Sequence, residues 1–248
     1  MLAVKDSRSS AVRSYYRALL RTWGVQDWWP ARTRFEVIVG AYLTQNTAWV
    51  NVERALANLR RAGVLSVEGV RRVPQRRLQQ LVRPSGYFRQ KAARLKLFVA
   101  HLDRRYGGSL QRMFARPTDE LRAELLALHG VGPETADSIL LYAGGHPAFV
   151  VDTYTQRVLQ RHGIVSRKPR YEETRALVEG ALRKEPPPLA ARDREARRHK
   201  FVVSGAPAAR VYNEYHALFV QLGKRHCLKA EARCSGCPLE RFLPQSSR

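Results

Sequence analysis

The apolar residues of this chain recur at three- and four-residue intervals almost from end to end, and a chain with that single period buries them by packing helix on helix. Val12, Tyr15, Tyr16, Leu19, Leu20 and Trp23 mark one helix face, closed by Gly24. Phe35, Ile38, Val39, Tyr42 and Leu43 mark a second, and Trp49, Val52, Leu56 and Leu59 a third, with a short polar break at 44–48 between them. Ala92, Leu95, Phe98, Val99, Leu102 and Tyr106 trace a long helix ended by Gly107 and Gly108. Further helices fit 118–128, 133–143, 153–162, 171–183 and 210–223. No convincing alternating run or long internal repeat interrupts them, so the class is all-α. The pattern fails only over 185–207, where Pro186 to Pro188 precede a charged run (Arg192, Arg194, Arg197, Arg198, Lys200) and then Gly205 and Pro207. That segment reads either as a loop that tracks phosphates or as a solvated charged loop.

The 248 residues suffice for one large or two small domains. Lys and Arg number 44 against 21 Asp and Glu, a formal net charge of +23. A protein so basic is expected to meet a polyanion, most simply nucleic acid, because neutralised phosphates release counterions. Genome bias explains why 36 of the 44 are Arg, but not why acids are so few. No apolar run approaches the ~20 residues that span a bilayer, and the first ten residues lack a signal-peptide core. Three cysteines at short spacing argue against a secreted disulfide framework. The chain reads as cytoplasmic with no membrane contact.

The most informative stretch is Leu128-His129-Gly130-Val131-Gly132-Pro133-Glu134. Leu121, Leu125 and Leu128 precede it at helical spacing, and Ala136, Ile139, Leu140 and Ala143 follow it on another apolar face. Two helices therefore meet through Gly-Val-Gly, with Pro133 at the first position of the second helix, where proline is tolerated. The unpaired N–H groups of that helix start suit a phosphate oxygen. An ordinary helical hairpin is the plain alternative. Further on, Val150-Val151-Asp152-Thr153 puts an aspartate after an apolar segment and before a helix ending at Gly163. Asp152 reads as an N-cap, and a carboxylate stabilised by first-turn amides stays ionised and can face developing positive charge.

These residues resemble the helix–hairpin–helix (HhH-GPD) glycosylase superfamily of endonuclease III, in which a Gly-Val-Gly hairpin is followed by a Val-Asp-Thr segment whose Asp is catalytic. The resemblance covers most of the chain. It implies that Asp152 is catalytic and that Gly130, Val131 and Gly132 grip DNA. Thr44-Gln45-Asn46-Thr47 is similar to the family loop that fills the space left by an extruded base, a role that falls to Gln45. Gly86-Tyr87-Phe88-Arg89-Gln90-Lys91-Ala92 resembles the turn that wedges the opposite strand, which puts Tyr87 at the wedge. Cys227, Cys234 and Cys237 match the first three ligands of the family's 4Fe–4S iron–sulfur loop. The fourth position is Leu243, so a cluster needs a ligand from His226, Glu240 or elsewhere; a degenerate loop with free thiols is the alternative. Bifunctional members carry Lys where this chain has Glu134, which puts strand cleavage through a Schiff base in doubt.

Trp28-Trp29-Pro30, Phe35 and the Gln45 loop most resemble the endonuclease III-type 3-methyladenine DNA glycosylases. By that resemblance Trp28, Trp29 and Trp49, with Glu134, line the base pocket; core packing is the alternative for each indole. The implied fold is two helical domains, 30–148 with six helices and 1–29 plus 149–248 with the cysteine loop, and an active site in the interdomain cleft. The implied function is a monofunctional base-excision-repair DNA glycosylase removing a damaged base, an alkylated purine, flipped from double-stranded DNA. The resemblance further implies a nucleoid-associated monomer. The rivals are a bifunctional glycosylase/lyase acting on oxidised pyrimidines and a non-catalytic DNA-structure binder.

Overall fold

The computed structural model describes residues 2–26, 31–188 and 205–243. Among these the chain forms helices α1 (Leu2–Trp23), α2 (Arg34–Leu43), α3 (Trp49–Arg61), α4 (Val67–Arg72), α5 (Gln75–Val82) and α6 (Phe88–Tyr106). After them come α7 (Leu110–Phe114), α8 (Thr118–Leu126), α9 (Pro133–Ser138), α10 (Thr153–Arg161), α11 (Tyr171–Leu182) and α12 (Pro207–Arg225). The described residues contain no β-strand, only an isolated bridge pairing Cys227 with Ala232. None of their helices is long and apolar enough to cross a membrane. They fall into two compact units, one of residues 31–146 and one of 2–26, 147–188 and 205–243.

In the first unit, α2 is buried along almost its whole length and serves as the central rod. Thr33 caps it, its side chain accepting from Glu36 N at 3.1 Å. Glu36, 3% exposed, accepts from Arg32 N and pairs with Arg60 of α3, so its charge is not left alone in the core. Ile38 and Leu43 on it, with Leu59 of α3 and Leu95 and Phe98 of α6, are fully buried. Helix α6 stops at Gly107, whose φ of 56° puts it in the left-handed region, while Gly108 N reaches back to Leu102 O at 3.1 Å.

The sequence pattern left α4, α5 and α7 unseen, because these helices of five to eight residues bury only one to three side chains each. Local capping marks two of their starts, by Ser66 for α4 and Ser109 for α7. The regular helix expected over 133–143 also differs. After Ser138 the backbone widens into a π-helical segment, Ile139–Gly144, that packs against α2 and ends at left-handed Gly145.

In the second unit, α12 packs against α1, α10 and α11. Tyr215 sits at its centre, fully buried, its ring tilted at 45° and 4.3 Å from that of Phe219 and its hydroxyl donating to Val12 O at 3.2 Å. Where α10 meets α12 the residue on α12 is Gly223, and a Cβ there would lie 2.1 Å from Tyr154 Cδ1. The approach therefore requires glycine.

Candidate active site and DNA grip

The turn between α8 and α9 is built around Val131, which is 7% exposed and donates its N–H to Leu128 O at 3.0 Å. Gly130 has φ +81°, and a Cβ on it would overlap the Arg94 guanidinium at 2.0 Å, so the fold itself needs glycine. Gly132 differs. Its backbone is extended, it is exposed, and a Cβ would meet nothing within 4 Å. Among the described residues nothing requires that it lack a side chain. Pro133 occupies the first turn of α9 as expected.

A buried ion pair holds the two hairpin helices at their angle. Arg122 of α8 donates through Nε and Nη2 to the two oxygens of Asp137 on α9, at 2.6 and 3.1 Å, and Asp137 is 0% exposed. This two-pronged geometry fixes orientation as well as distance.

Gln45 does not stand free in its loop. Its Nε2 donates to Gly130 O at 3.0 Å and to Thr135 Oγ1 at 2.9 Å, and its Oε1 accepts from Arg94 Nη1 at 2.6 Å. The Gln45 loop is thus tied directly to the hairpin, with Arg94 as the shared strut. Asn46, next to it, and Tyr87 both adopt left-handed backbone, with φ of 52° and 44°. Such values are uncommon for residues other than glycine, and least expected for a bulky one. Tyr87 is 65% exposed. Lys91, four residues on, is buried and donates to Leu43 O at 2.9 Å and Ser85 O at 2.6 Å, which fastens the end of α2 to the turn before α6. Burial, and next the Arg94 charge, bring its pKa down to about 8.

Glu134 is exposed in the first turn of α9. Trp49 opens α3 directly after the Gln45 loop, half-buried, and donates Nε1 to Glu53 Oε1 at 2.9 Å along its own helix. Trp28 and Trp29 lie outside the described residues, as does the charged run of the 185–207 segment.

Asp152 is the N-cap of α10. Its Oδ1 accepts from Thr155 N at 2.7 Å, and Oδ2 lies 3.5 Å from His216 Nε2 on α12. Burial acts to raise its pKa, but His216 first and the Thr155 amide second outweigh it, so the carboxyl is held below its ordinary value.

The cysteine loop packs on the same helix. Arg157 Nε donates to Cys227 O at 2.8 Å; Arg161 donates to Leu228 O at 2.7 Å and to Cys227 Sγ at 3.2 Å. All three thiols are free of disulfides. Burial raises the Cys237 pKa, with nearby Cys234, Cys227 and Glu240 adding to it. The two neighbours that could complete a ligand set are engaged with backbone: His226 Nδ1 lies 3.2 Å from Arg233 O, and Glu240 Oε2 accepts from Gly236 N at 3.1 Å. No group of three or more His, Cys, Asp or Glu side chains among the described residues is arranged to hold a metal ion. Three thiols with Leu243 in the fourth place do not fit a four-thiolate 4Fe–4S cluster.

The fold and these side chains define a class, the helix–hairpin–helix DNA glycosylases. Residues 39–184 match the model of the HhH-GPD superfamily of base excision DNA repair proteins, and the chain belongs to that superfamily. It is 39% identical over 241 residues to a Methanocaldococcus jannaschii protein provisionally named a DNA repair glycosylase, covering 96% of this chain and 98% of that one. The crystal structure of H. pylori 3-methyladenine DNA glycosylase (MagIII) bound to 1,N6-ethenoadenine is similar at a TM-score of 0.69 and 27% identity, over 89% of this chain and 97% of the other. A trapped endonuclease III–DNA covalent intermediate shares the fold, with a TM-score of 0.71 at 23% identity over 96% and 97% of the two chains.

His216 beside Asp152, Arg94 on Gln45 and Arg122 on Asp137 support the candidate site without any mark of it in the sequence. Asp137 carried a usable signal: a charged residue on the buried face of a helix, between Ala136 and Ile139, needs a partner.

Proposed function

We propose that this DNA glycosylase is monofunctional and releases an alkylated purine from duplex DNA. The observation that carries the proposal is Asp152, capped by Thr155, close to His216 and kept ionised although nearly buried. As the N-glycosidic bond breaks, its electron pair leaves with the base and the sugar C1′ becomes cationic. The carboxylate opposes that charge, and a water oxygen then bonds to C1′ while its proton passes to Asp152 or to solvent. The hairpin amides beside Gly132 bind a backbone phosphate. Tyr87 wedges the duplex, and Gln45 exchanges its bonds to Gly130 and Thr135 for the vacated base position.

Two observations favour hydrolysis without strand cleavage. Glu134 stands where the bifunctional members have the Schiff-base lysine. Lys91, an amine whose pKa falls to about 8, is buried on two carbonyls and is not presented as a nucleophile. For the substrate, a ring-methylated purine is cationic and leaves readily. Trp28, Trp29 and Trp49 with Glu134 suit such a base, a preference of about 0.5–2 kcal/mol from cation–π contact. The H. pylori relative's name points the same way. In a panel of duplexes carrying 3-methyladenine, 7-methylguanine, uracil or thymine glycol, the methylated purines are expected to be released and borohydride to trap no enzyme–DNA adduct. Release of uracil or thymine glycol alone, or a trapped adduct, would replace this reading with the oxidised-pyrimidine lyase.

The grip has its own test. Gly132→Val is expected to fold normally, since a Cβ meets open space there. It should weaken binding to all duplexes alike by about tenfold or more, the value of a hydrogen bond to a charged group. Unchanged affinity would make the turn purely structural. Gly130→Val is the poorer test because it collides with Arg94.

The cysteine loop enters as a prop for α10, not as a redox centre. Protein purified anaerobically is expected to be colourless and iron-free and to keep its melting temperature in chelator. Stoichiometric iron with broad absorption near roughly 400 nm would show that thiolates bind it with a further ligand.

A further inference from the structure

His216 is the titratable side chain facing the proposed catalytic carboxylate from another helix. It is 5% exposed on α12, and its Nε2 stands 3.5 Å from Asp152 Oδ2, beyond the usual length of a full hydrogen bond. Oδ1 is already taken by Thr155 N at 2.7 Å. The two oxygens of one carboxylate are thus addressed from two helices, α10 through the cap and α12 through the imidazole. The surroundings fix both partners. Phe149 sets its ring edge-on to His216 at 6.4 Å and 77°. The Gly223–Tyr154 approach keeps α12 against α10. From α11, Glu179 accepts from Phe149 N at 2.9 Å and the Tyr171 hydroxyl lies 3.3 Å from Val151 N, so the backbone leading into Asp152 is held as well.

We infer that His216 is a positioning residue for Asp152: its Nε2–H holds Oδ2 so that the remaining lone pairs of the carboxylate face the sugar and the attacking water. This rests on the reading of Asp152 as the catalytic group.

The test uses the full chain with methylated duplex DNA in single-turnover assays, alongside DNA affinity, thermal melting and a pH series. His216→Ala is expected to slow base release about 10- to 100-fold, the range seen when partners that orient metal ligands are removed, with affinity unchanged. His216→Gln, whose amide can present an N–H near the place of Nε2, should recover part of the rate. The acid limb of the pH profile should move to higher pH in His216→Ala, because the carboxyl loses a contact that lowers its pKa. If His216→Ala does not fold, His216→Gln and His216→Asn are compared by the same two readouts. A wild-type rate and acid limb in the folded variants overturns the inference. So does an equal loss of rate in all of them with the acid limb unmoved, which marks His216 as packing only. Asp152→Asn separates the two claims. If it is inactive while the His216 variants behave as wild type, only this inference fails; if it is active, the reading of Asp152 itself fails.

Discussion

Asp152→Asn is expected to lower the single-turnover rate of base release about 10²–10³-fold, the ~2.7–4 kcal/mol typical of removing a group aimed at developing charge, and to leave DNA binding intact. Asparagine is as good an N-cap as aspartate, so its side-chain oxygen can still accept from Thr155 N and α10 keeps its start. The loss is therefore chemical and not structural. The wild-type pH profile should carry the same signature. The carboxyl is held below its ordinary value in the folded state, so base release should persist to lower pH than an exposed aspartate would allow and fail as the pH drops through that lowered pKa. The same shift stabilises the fold above the unfolded aspartate's pKa, and this contribution is lost over the same acid range. Near-wild-type turnover by the Asn variant would remove Asp152 from the reaction.

Arg122→Ala is the substitution expected to cost most stability. It leaves Asp137, with no exposed surface, without its two-pronged partner. Breaking a buried pair from one side typically costs roughly 3–5 kcal/mol, most of it from the uncompensated charge. Urea unfolding should show that loss, and adding Asp137→Asn to Arg122→Ala should return part of it, since the charge that lost its Arg122 pairing is gone. An Arg122→Ala protein as stable as wild type would mean that other groups satisfy Asp137. Because the pair joins α8 to α9, the same variant should weaken DNA binding at temperatures where it remains folded.

The long helices were legible because each carries enough apolar residues to declare its period: α2, α3, α6 and α12 lie where their faces predicted. Helices α4, α5 and α7 were not, since their one to three buried residues cannot establish a period and local capping does much of the work. The π-helical widening after Ser138 has no spacing signature, because the same apolar run suits a regular helix. The hairpin glycines and the capping aspartate could be read directly, their geometry being local. What stayed hidden was everything set by distant partners. Gln45 reads as a free polar loop residue, yet it is anchored by Arg94, 49 positions away, and by Gly130 and Thr135. His216 reads as one more ring on an aromatic helix face beside Tyr212, Tyr215 and Phe219, and only packing brings it to Asp152.

Tyr87 makes one position serve two opposed ends. An L-residue in the left-handed region costs roughly 1–2 kcal/mol, and this one holds a large ring out in water, where it contributes little to the core. Selection for stability alone would drift toward glycine there, as at Gly86 beside it, which already has φ +67°. On the proposed wedge role, the tyrosine trades folded-state stability for contact with DNA, and that trade sets a ceiling on how far this loop can be made more stable.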